Sequence, residues 1–218
     1  MASIKRHPEL DRLWRLSRAA QSREARARGL PPLWFMTDRA QVADPLAAAA
    51  ALPRGAGVIL RDYDAADRPA LAAALAETCR ERSLLFLVAG DERLAARVGA
   101  DGLHLPEWQS ARIVPIRRRR PAWLITAAAH GAVALRRAAR AGADAAFLSP
   151  VFPTRSHPGA RHLGPVRFAA LARSTDMPVY ALGGVDGGNI MRLRACGSAG
   201  IAAIGAVAGR QKPKLVPT

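Results

Sequence analysis

Two glycine-containing turns in the last quarter of the chain have the residue types that hold an anion. In "ALGGVDGGN", Gly183 and Gly184 end an apolar run, and in "AAIGAVAG", Gly205 and Ala206 do the same. Glycine lets backbone N–H groups approach an anion, and a helix that begins there adds favourable partial charge. The turns predict a phosphate site, and the alternative is that they are tight turns without a binding role.

Titratable residues follow three other apolar runs. His130 ends one of them, where an imidazole can exchange a proton near neutral pH, unless its ring is buried against a backbone carbonyl. Asp91 is expected either to cap a helix or to bind Mg²⁺, which would want a second carboxylate such as Glu107. For His104, inside "GLHL", we expect a structural role.

The stretch "FLSPVFPTRSHPGARHLGP" (147–165) begins as a strand and continues as a loop that has basic and hydroxyl side chains but no acid. Such a composition favours the binding of an anion. The sequence therefore predicts that this loop holds a phosphate group.

Eight short apolar runs predict the strands that must position these residues. Their length and uniform apolar character are typical of buried parallel strands. The runs are 33–37, 57–61, 84–89, 102–105, 123–129, 145–150, 179–184 and 200–205. Helical segments alternate with them, and the clearest are 68–83, 92–100 and 131–143.

This alternation predicts an α/β fold with a single (β/α)8 TIM barrel, with a doubly wound sheet as the alternative. In such a barrel the residues that follow the strands form the site. We expect the barrel to span residues 33–218 and a basic helical extension to span 1–32. The short end "RQKPKLVPT" predicts a truncated eighth helix, which would leave one side of the barrel bare. One helix over 8–28, with Leu10, Leu13 and Trp14 on one face, would cover that side or, alternatively, pack under the floor of the barrel.

Composition bounds the partners. The 33 basic residues comprise 30 Arg and three Lys, which indicates a coding bias, and "RRRR" at 117–120 is expected to be a solvated bend, so we expect no nucleic acid. No apolar run reaches the length of a membrane span and no secretory signal is visible. Cys79 and Cys196 both lie in segments that read as helices and are expected to be buried free thiols. Free thiols, with no membrane span and no signal, predict a cytoplasmic protein. A homo-oligomer is left open.

From residue 33 to 207 the chain resembles the thiamin phosphate synthase and thiazole tautomerase superfamily. The motifs that carry the resemblance are "LWFMTD", "VILRD", "GADGLHLPE", "TAAAHG", "GADAAFLSPVFPTRSH" and "VYALGGVDGGNI" with "GSAGIAAIGAV". The resemblance implies a barrel that binds a small phosphorylated thiazole at the turns 183–184 and 205–206. Synthases join a pyrimidine pyrophosphate to this thiazole with Mg²⁺ and release pyrophosphate, whereas tautomerases move a proton on the ring without a cofactor.

The chain departs from the synthase pattern where pyrophosphate and Mg²⁺ would bind. Arg61 and the strand-five His are kept. The departures are Ile59 for Gln, Tyr63 for Lys, Gly90 for Asn, "PEWQ" for Gly-Gln-x-Asp, Ala128 for Ser, and Thr154-Arg155-Ser156-His157 for Thr-x-Thr-Lys.

These losses favour, by a small margin, a tautomerase-like isomerase in which His130 moves the proton. The alternative is a divergent synthase, a transferase with Asp91 on Mg²⁺ and with Arg61, Thr154, Ser156 and His157 around the pyrophosphate. The third hypothesis is a non-catalytic barrel that binds a phosphorylated metabolite. We expect an enzyme.

Overall fold

A computed structural model describes residues 7–154, 159 and 161–208, and its centre is a closed barrel of eight parallel strands paired in chain order. The strands are β1 (Leu33–Met36), β2 (Gly57–Leu60), β3 (Leu85–Ala89), β4 (Gly102–Leu105), β5 (Leu124–Ala129), β6 (Ala145–Leu148), β7 (Val179–Leu182) and β8 (Ile201–Ala203). Pairing of Leu33 with Ile201 closes the ring between β1 and β8. The predicted TIM barrel is confirmed, and the alternative of an open doubly wound sheet is wrong.

Helices cover the outside of the barrel. The described α-helices are α1 (Pro8–Ala20), α2 (Arg23–Ala27), α3 (Pro45–Ala51), α4 (Arg68–Arg82), α5 (Glu92–Arg97), α6 (Ile113–Arg119), α7 (Ala132–Arg140) and α8 (Gly164–Ala172). Short 3₁₀ helices follow β4 (Glu107–Arg112) and β7 (Ile190–Leu193). The segment predicted to be a truncated eighth helix begins after residue 208 and lies outside the described residues.

The amino-terminal extension is two helices rather than the single helix predicted over 8–28. Gln21 leaves the helical conformation, and the Ser22 hydroxyl caps α2 by accepting a hydrogen bond from the N–H of Ala25. Leu10 and Leu13 are 1% exposed and belong to the main hydrophobic cluster. Because α1 packs against the 3₁₀ helix after β7 and against β1, it covers the side of the barrel where the outer helices are short. The domain division at residue 32 stays a prediction.

Alternate residues along each strand fill the barrel lumen. At its amino end, Trp34, Phe147 and Tyr180 are fully buried and in mutual ring contact at centroid distances of 4.9 to 6.2 Å. The Tyr180 hydroxyl donates to the carbonyl of Pro31, which precedes β1, at 2.8 Å. A β-carbon at Gly57 would overlap the indole of Trp34, so only glycine fits there. Aromatic rings therefore close the floor of the barrel.

The run Arg117–Arg120 is not the solvated bend that was predicted. Its first three residues form the last turn of α6. Arg117 binds the carbonyl of Trp123 and the carboxylate of Asp144, and Arg119 makes two hydrogen bonds to Glu92. These contacts stabilise the fold.

Both cysteines are buried free thiols, as predicted, although Cys196 lies in a turn and only Cys79 is helical. Burial raises the pKa of the Cys79 thiol to about 12. Within the described part of the chain, none of the helices combines the length and the hydropathy that a membrane crossing requires.

Candidate functional site

The pleat of the strands brings polar side chains to the carboxyl end of the lumen. Side chains alternate along a strand, so a residue two positions after a lumen-facing one points the same way. Met36, Ile59 and Phe147 belong to a second hydrophobic cluster, which fills the lumen of the barrel. The residues two positions after them are Asp38, Arg61 and Ser149, and His130 has the same place in β5. We call this carboxyl end of the lumen the mouth.

Arg61 is held rigidly at the mouth. Its guanidinium lies 2.5 Å from the Asp38 carboxylate, and its backbone N–H donates to the buried hydroxyl of Thr37 at 2.9 Å. The same Asp38 oxygen accepts from the Gln41 amide at 2.9 Å. A β-carbon at Gly205 would lie 3.8 Å from Oε1 of the Gln41 side chain, so these polar groups extend from the end of β2 toward the end of β8. A cavity of ≈ 420 Å³ opens beside Arg61, between loops 38–40 and 61–65.

His104 lies one layer deeper and has the structural role expected of it. It is 3% exposed, and its Nδ1 is 3.0 Å from the hydroxyl of Thr126 on the next strand. Burial, with a smaller contribution from the charge of Arg61, lowers the pKa of His104 to about 3. The ring is therefore neutral at physiological pH.

His130 lies at the mouth with one ring nitrogen in use. Nδ1 is 3.0 Å from the backbone carbonyl of Ser149, so it carries a proton and donates it; in the neutral ring the lone pair is then on Nε2. The backbone N–H of His130 donates to the carboxylate of Glu107 at 3.0 Å. The ring is bound to a carbonyl, as the structural alternative required, but it is exposed, as a proton-transfer group needs to be.

The glycines after β7 are required by packing. Gly183 and Gly184 have φ of +90° and +66°, conformations that side chains disfavour. A β-carbon on Gly184 would overlap the carbonyl oxygen of Pro153 and lie 2.8 Å from that of Phe152. The loop after β6 packs on this turn, with the N–H of Phe152 donating to the Gly183 carbonyl at 3.0 Å.

The helix expected after the turn at Gly183 and Gly184 is only the short 3₁₀ helix Ile190–Leu193, so the predicted contribution of a helix N-terminus is small. The residues Gly205 and Ala206 lie in a turn directly after β8. Phosphate binding by either turn stays a prediction.

The loop after β6 is described only in part. Thr154 is partly buried at its start, whereas Ser156 and His157 lie outside the described residues. Their predicted contacts with pyrophosphate stay predictions.

The ends of β3 and β4 do not fit a magnesium site built from two carboxylates. Asp91 caps α5, its Oδ1 accepting from the N–H of Leu94 at 2.9 Å, as the structural alternative expected. Its Oδ2 lies 3.8 Å from the guanidinium of Arg68. Glu107, the expected second carboxylate, binds His130 instead. No group of three or more His, Cys, Asp or Glu among residues 7–154, 159 and 161–208 could hold a metal ion.

Two arginines that the sequence did not single out lie at this edge. The guanidinium of Arg68 donates to the carbonyl of Ala89 at 2.6 Å and lies 5.6 Å from the ring centre of Tyr63. Arg112 donates to the carbonyl of Gly90 at 3.1 Å and to the Gln109 amide oxygen at 2.7 Å. Both arginines come from helices, so a search restricted to strand ends misses them, and only the reach of long side chains could have suggested them.

Comparison with known proteins agrees with the barrel and with the sequence motifs. The family model of thiamine monophosphate synthase matches residues 33–207. The chain is 33% identical over 180 residues to a putative thiamine-phosphate synthase 2 of Aquifex aeolicus, which covers 80% of this chain and 96% of that one. It is 39% identical over 163 residues to a thiamine-phosphate synthase of Chromobacterium violaceum, with 72% and 78% of the two chains covered.

A solved structure with a similar fold is thiamine phosphate pyrophosphorylase from Pyrococcus furiosus. The TM-score is 0.70 at 25% sequence identity, over 84% of this chain and 89% of that one. Since the family match spans the whole barrel, the chain belongs to the thiamine monophosphate synthase family.

Proposed function

We propose that the protein is a thiamin phosphate synthase, which joins a pyrimidine pyrophosphate to a thiazole phosphate and releases pyrophosphate. The relatives bear this name, and this support outweighs the residue losses that favoured a tautomerase. The observation that carries the proposal is the distribution of anion-binding groups around the mouth. Arg61, Arg68 and Arg112 lie at the ends of β2 to β4, and the glycine turns follow β7 and β8.

In a closed ring of eight strands, β3 is opposite β7 and β4 is opposite β8. The two groups of anion-binding residues therefore face each other across the lumen. A reaction between two phosphorylated substrates needs two such sites, whereas a proton transfer within one substrate needs only one. The turns 183–184 and 205–206 would hold the thiazole phosphate, and the arginines would hold the pyrophosphate.

The arginines would also assist the chemistry. When the carbon–oxygen bond to pyrophosphate breaks, the leaving group takes the electron pair, and the thiazole nitrogen supplies the pair for the new bond. Fixed guanidinium groups stabilise the negative charge that develops on the leaving oxygens. Arg61 is fixed by Asp38, and Arg112 is fixed by Gly90 and Gln109. Asp91 and Glu107, the described carboxylates at the ends of β3 and β4, do not form a two-carboxylate Mg²⁺ site, so no step is assigned to a metal ion.

One observation favours tautomerase-like proton transfer as the second candidate. The hydrogen bond from His130 Nδ1 to Ser149 orients the ring and leaves Nε2 as a base at the mouth. In this case the glycine turns would bind the same thiazole phosphate, and His130 would remove and return a ring proton.

The deciding experiment supplies purified protein with both synthase substrates, in Mg²⁺ and in EDTA, and measures thiamin phosphate and pyrophosphate. We expect both products in a one-to-one ratio. Absence of product in both buffers, at high enzyme concentration, would contradict the synthase. Isomerisation of the thiazole phosphate alone would then indicate the tautomerase, and thermal stabilisation by ligand without turnover would indicate a non-catalytic binder.

A further inference from the structure

Two guanidinium groups lie at the edge of the mouth where a magnesium ion would be expected. We propose that Arg68 and Arg112 replace a divalent cation at the ends of β3 and β4, so that a pyrophosphate group binds there without metal. The identity of the anion rests on the proposed synthase function. The charge and geometry of the site are independent of it.

Arg68 is a nearly buried cation with little to neutralise it. The residue is 9% exposed, and its Nε is buried without a hydrogen-bond partner among the residues that the structure describes. Nη2 donates to the neutral carbonyl of Ala89, and Nη1 lies 3.8 Å from the Asp91 carboxylate, too far for a hydrogen bond. Burying a charge is costly unless it is paired closely, so a bound anion would stabilise this guanidinium.

Asp91 is poorly placed to bind a metal. One carboxylate oxygen caps α5 and the other faces Arg68. A divalent cation on that second oxygen would lie close to a fixed positive charge and be repelled by it. Residue 109 is placed where a second metal ligand would lie at this edge. It is the uncharged Gln109, and its amide oxygen already accepts from Arg112.

Arg112 is fixed and open to solvent. Nη1 donates both hydrogen bonds, to the Gly90 carbonyl and to the Gln109 amide oxygen. Nη2 is 3.9 Å from the carboxylate of Glu92, which Arg119 binds more closely, at 2.7 Å. The Arg112 side chain is 42% exposed, so an incoming anion can reach it.

Arg68 and Arg112 hold the carbonyls of consecutive residues, Ala89 and Gly90, and so are attached to the same strand end. Guanidinium groups bind phosphate oxygens in a planar, two-pronged geometry, and fixed groups lose little freedom on binding. Arg61, at the adjacent end of β2, adds a third guanidinium group, which is held in place by its ion pair with Asp38. Such a set suits a multiply charged anion such as pyrophosphate.

The test is isothermal titration of the full-length protein with inorganic pyrophosphate, in EDTA and in Mg²⁺ at the same ionic strength. We expect binding in EDTA that is at least as tight as in Mg²⁺. Arg112→Gln should weaken binding in EDTA by about tenfold or more, since it removes a hydrogen bond to a charged group. Arg118→Gln, an equal change of net charge on exposed α6, is the matched control and should leave binding unchanged.

Binding only in Mg²⁺, no binding in either buffer, or equal binding by wild type and Arg112→Gln would each overturn the proposal. An equal loss in Arg118→Gln would also overturn it, because general attraction to the basic protein would then explain the binding. The synthase assay separates this proposal from the proposed function. Product only in Mg²⁺ keeps the synthase and rejects metal replacement. Absence of product with Arg112-dependent binding in EDTA rejects the synthase alone.

Discussion

Replacing Gly184 by alanine tests whether the turn after β7 is shaped by the loop packed upon it. Gly184 and Gly99 have the same φ, +66°, but a β-carbon at Gly99 meets nothing within 4 Å. Both substitutions pay about 1–2 kcal/mol for the left-handed conformation. Gly184→Ala must in addition displace the backbone at Pro153 and Phe152, and such crowding costs about 1–3 kcal/mol. We therefore expect losses of roughly 2–5 kcal/mol for Gly184→Ala and 1–2 kcal/mol for Gly99→Ala.

The assay is urea unfolding of wild type and both variants, followed by circular dichroism. The turn after β7 is a predicted phosphate site, whereas Gly99 lies after α5, at the opposite end of the barrel from the mouth. Stabilisation by thiazole phosphate should therefore fall in Gly184→Ala and persist in Gly99→Ala. Equal losses of unfolding free energy in the two variants would refute the packing argument, because both would then reflect backbone conformation alone.

Three further predictions concern individual side chains. His130→Gln should lower any proton-transfer rate at least about 100-fold and leave thiazole-phosphate binding intact; an unchanged isomerisation rate would exclude His130 as the base. The pKa of His104 is lowered on folding from 6.5 to about 3, so the unfolded chain takes up the proton first and stability falls as the pH drops below 6.5. Between pH 6.5 and 5, His104→Asn should reduce this fall by about 1.6 kcal/mol in urea unfolding, and equal slopes would contradict the burial argument. In a Cys196→Ser background, Cys79 should react with a thiol reagent at pH 8 only when the protein unfolds. Its pKa of about 12 leaves a thiolate fraction on the order of 10⁻⁴ in the folded protein. Rapid labelling of the folded protein would refute this prediction.

Much of the fold could be predicted because a parallel barrel has a strong local signal. Each strand is buried on both faces and appears as a short apolar run. The break between α1 and α2 was not predicted, since Ser22 caps a helix in the middle of a continuous basic amphipathic pattern. The short 3₁₀ helix after β7 was also missed; it packs against α1, a contact distant in sequence that a local pattern does not show.

The site was predictable only where it follows strand ends. Arg61 and His130 could be placed because alternation along a strand determines which side chains reach the mouth. Arg68 and Arg112 could not, because they reach the ends of β3 and β4 from neighbouring helices through long side chains. Glu107 was the candidate second carboxylate if Asp91 bound Mg²⁺, but it accepts from the N–H of His130, a contact that depends on how the 3₁₀ helix after β4 turns.

The aromatic floor has a consequence for the order of events in the proposed reaction. Because Trp34, Phe147 and Tyr180 close one end of the lumen in the described part of the chain, substrates and products would enter and leave through the mouth. The ligand that binds deeper must therefore enter first and leave last. The kinetics of two-substrate turnover should be sequential, with the shallower product departing before the deeper one.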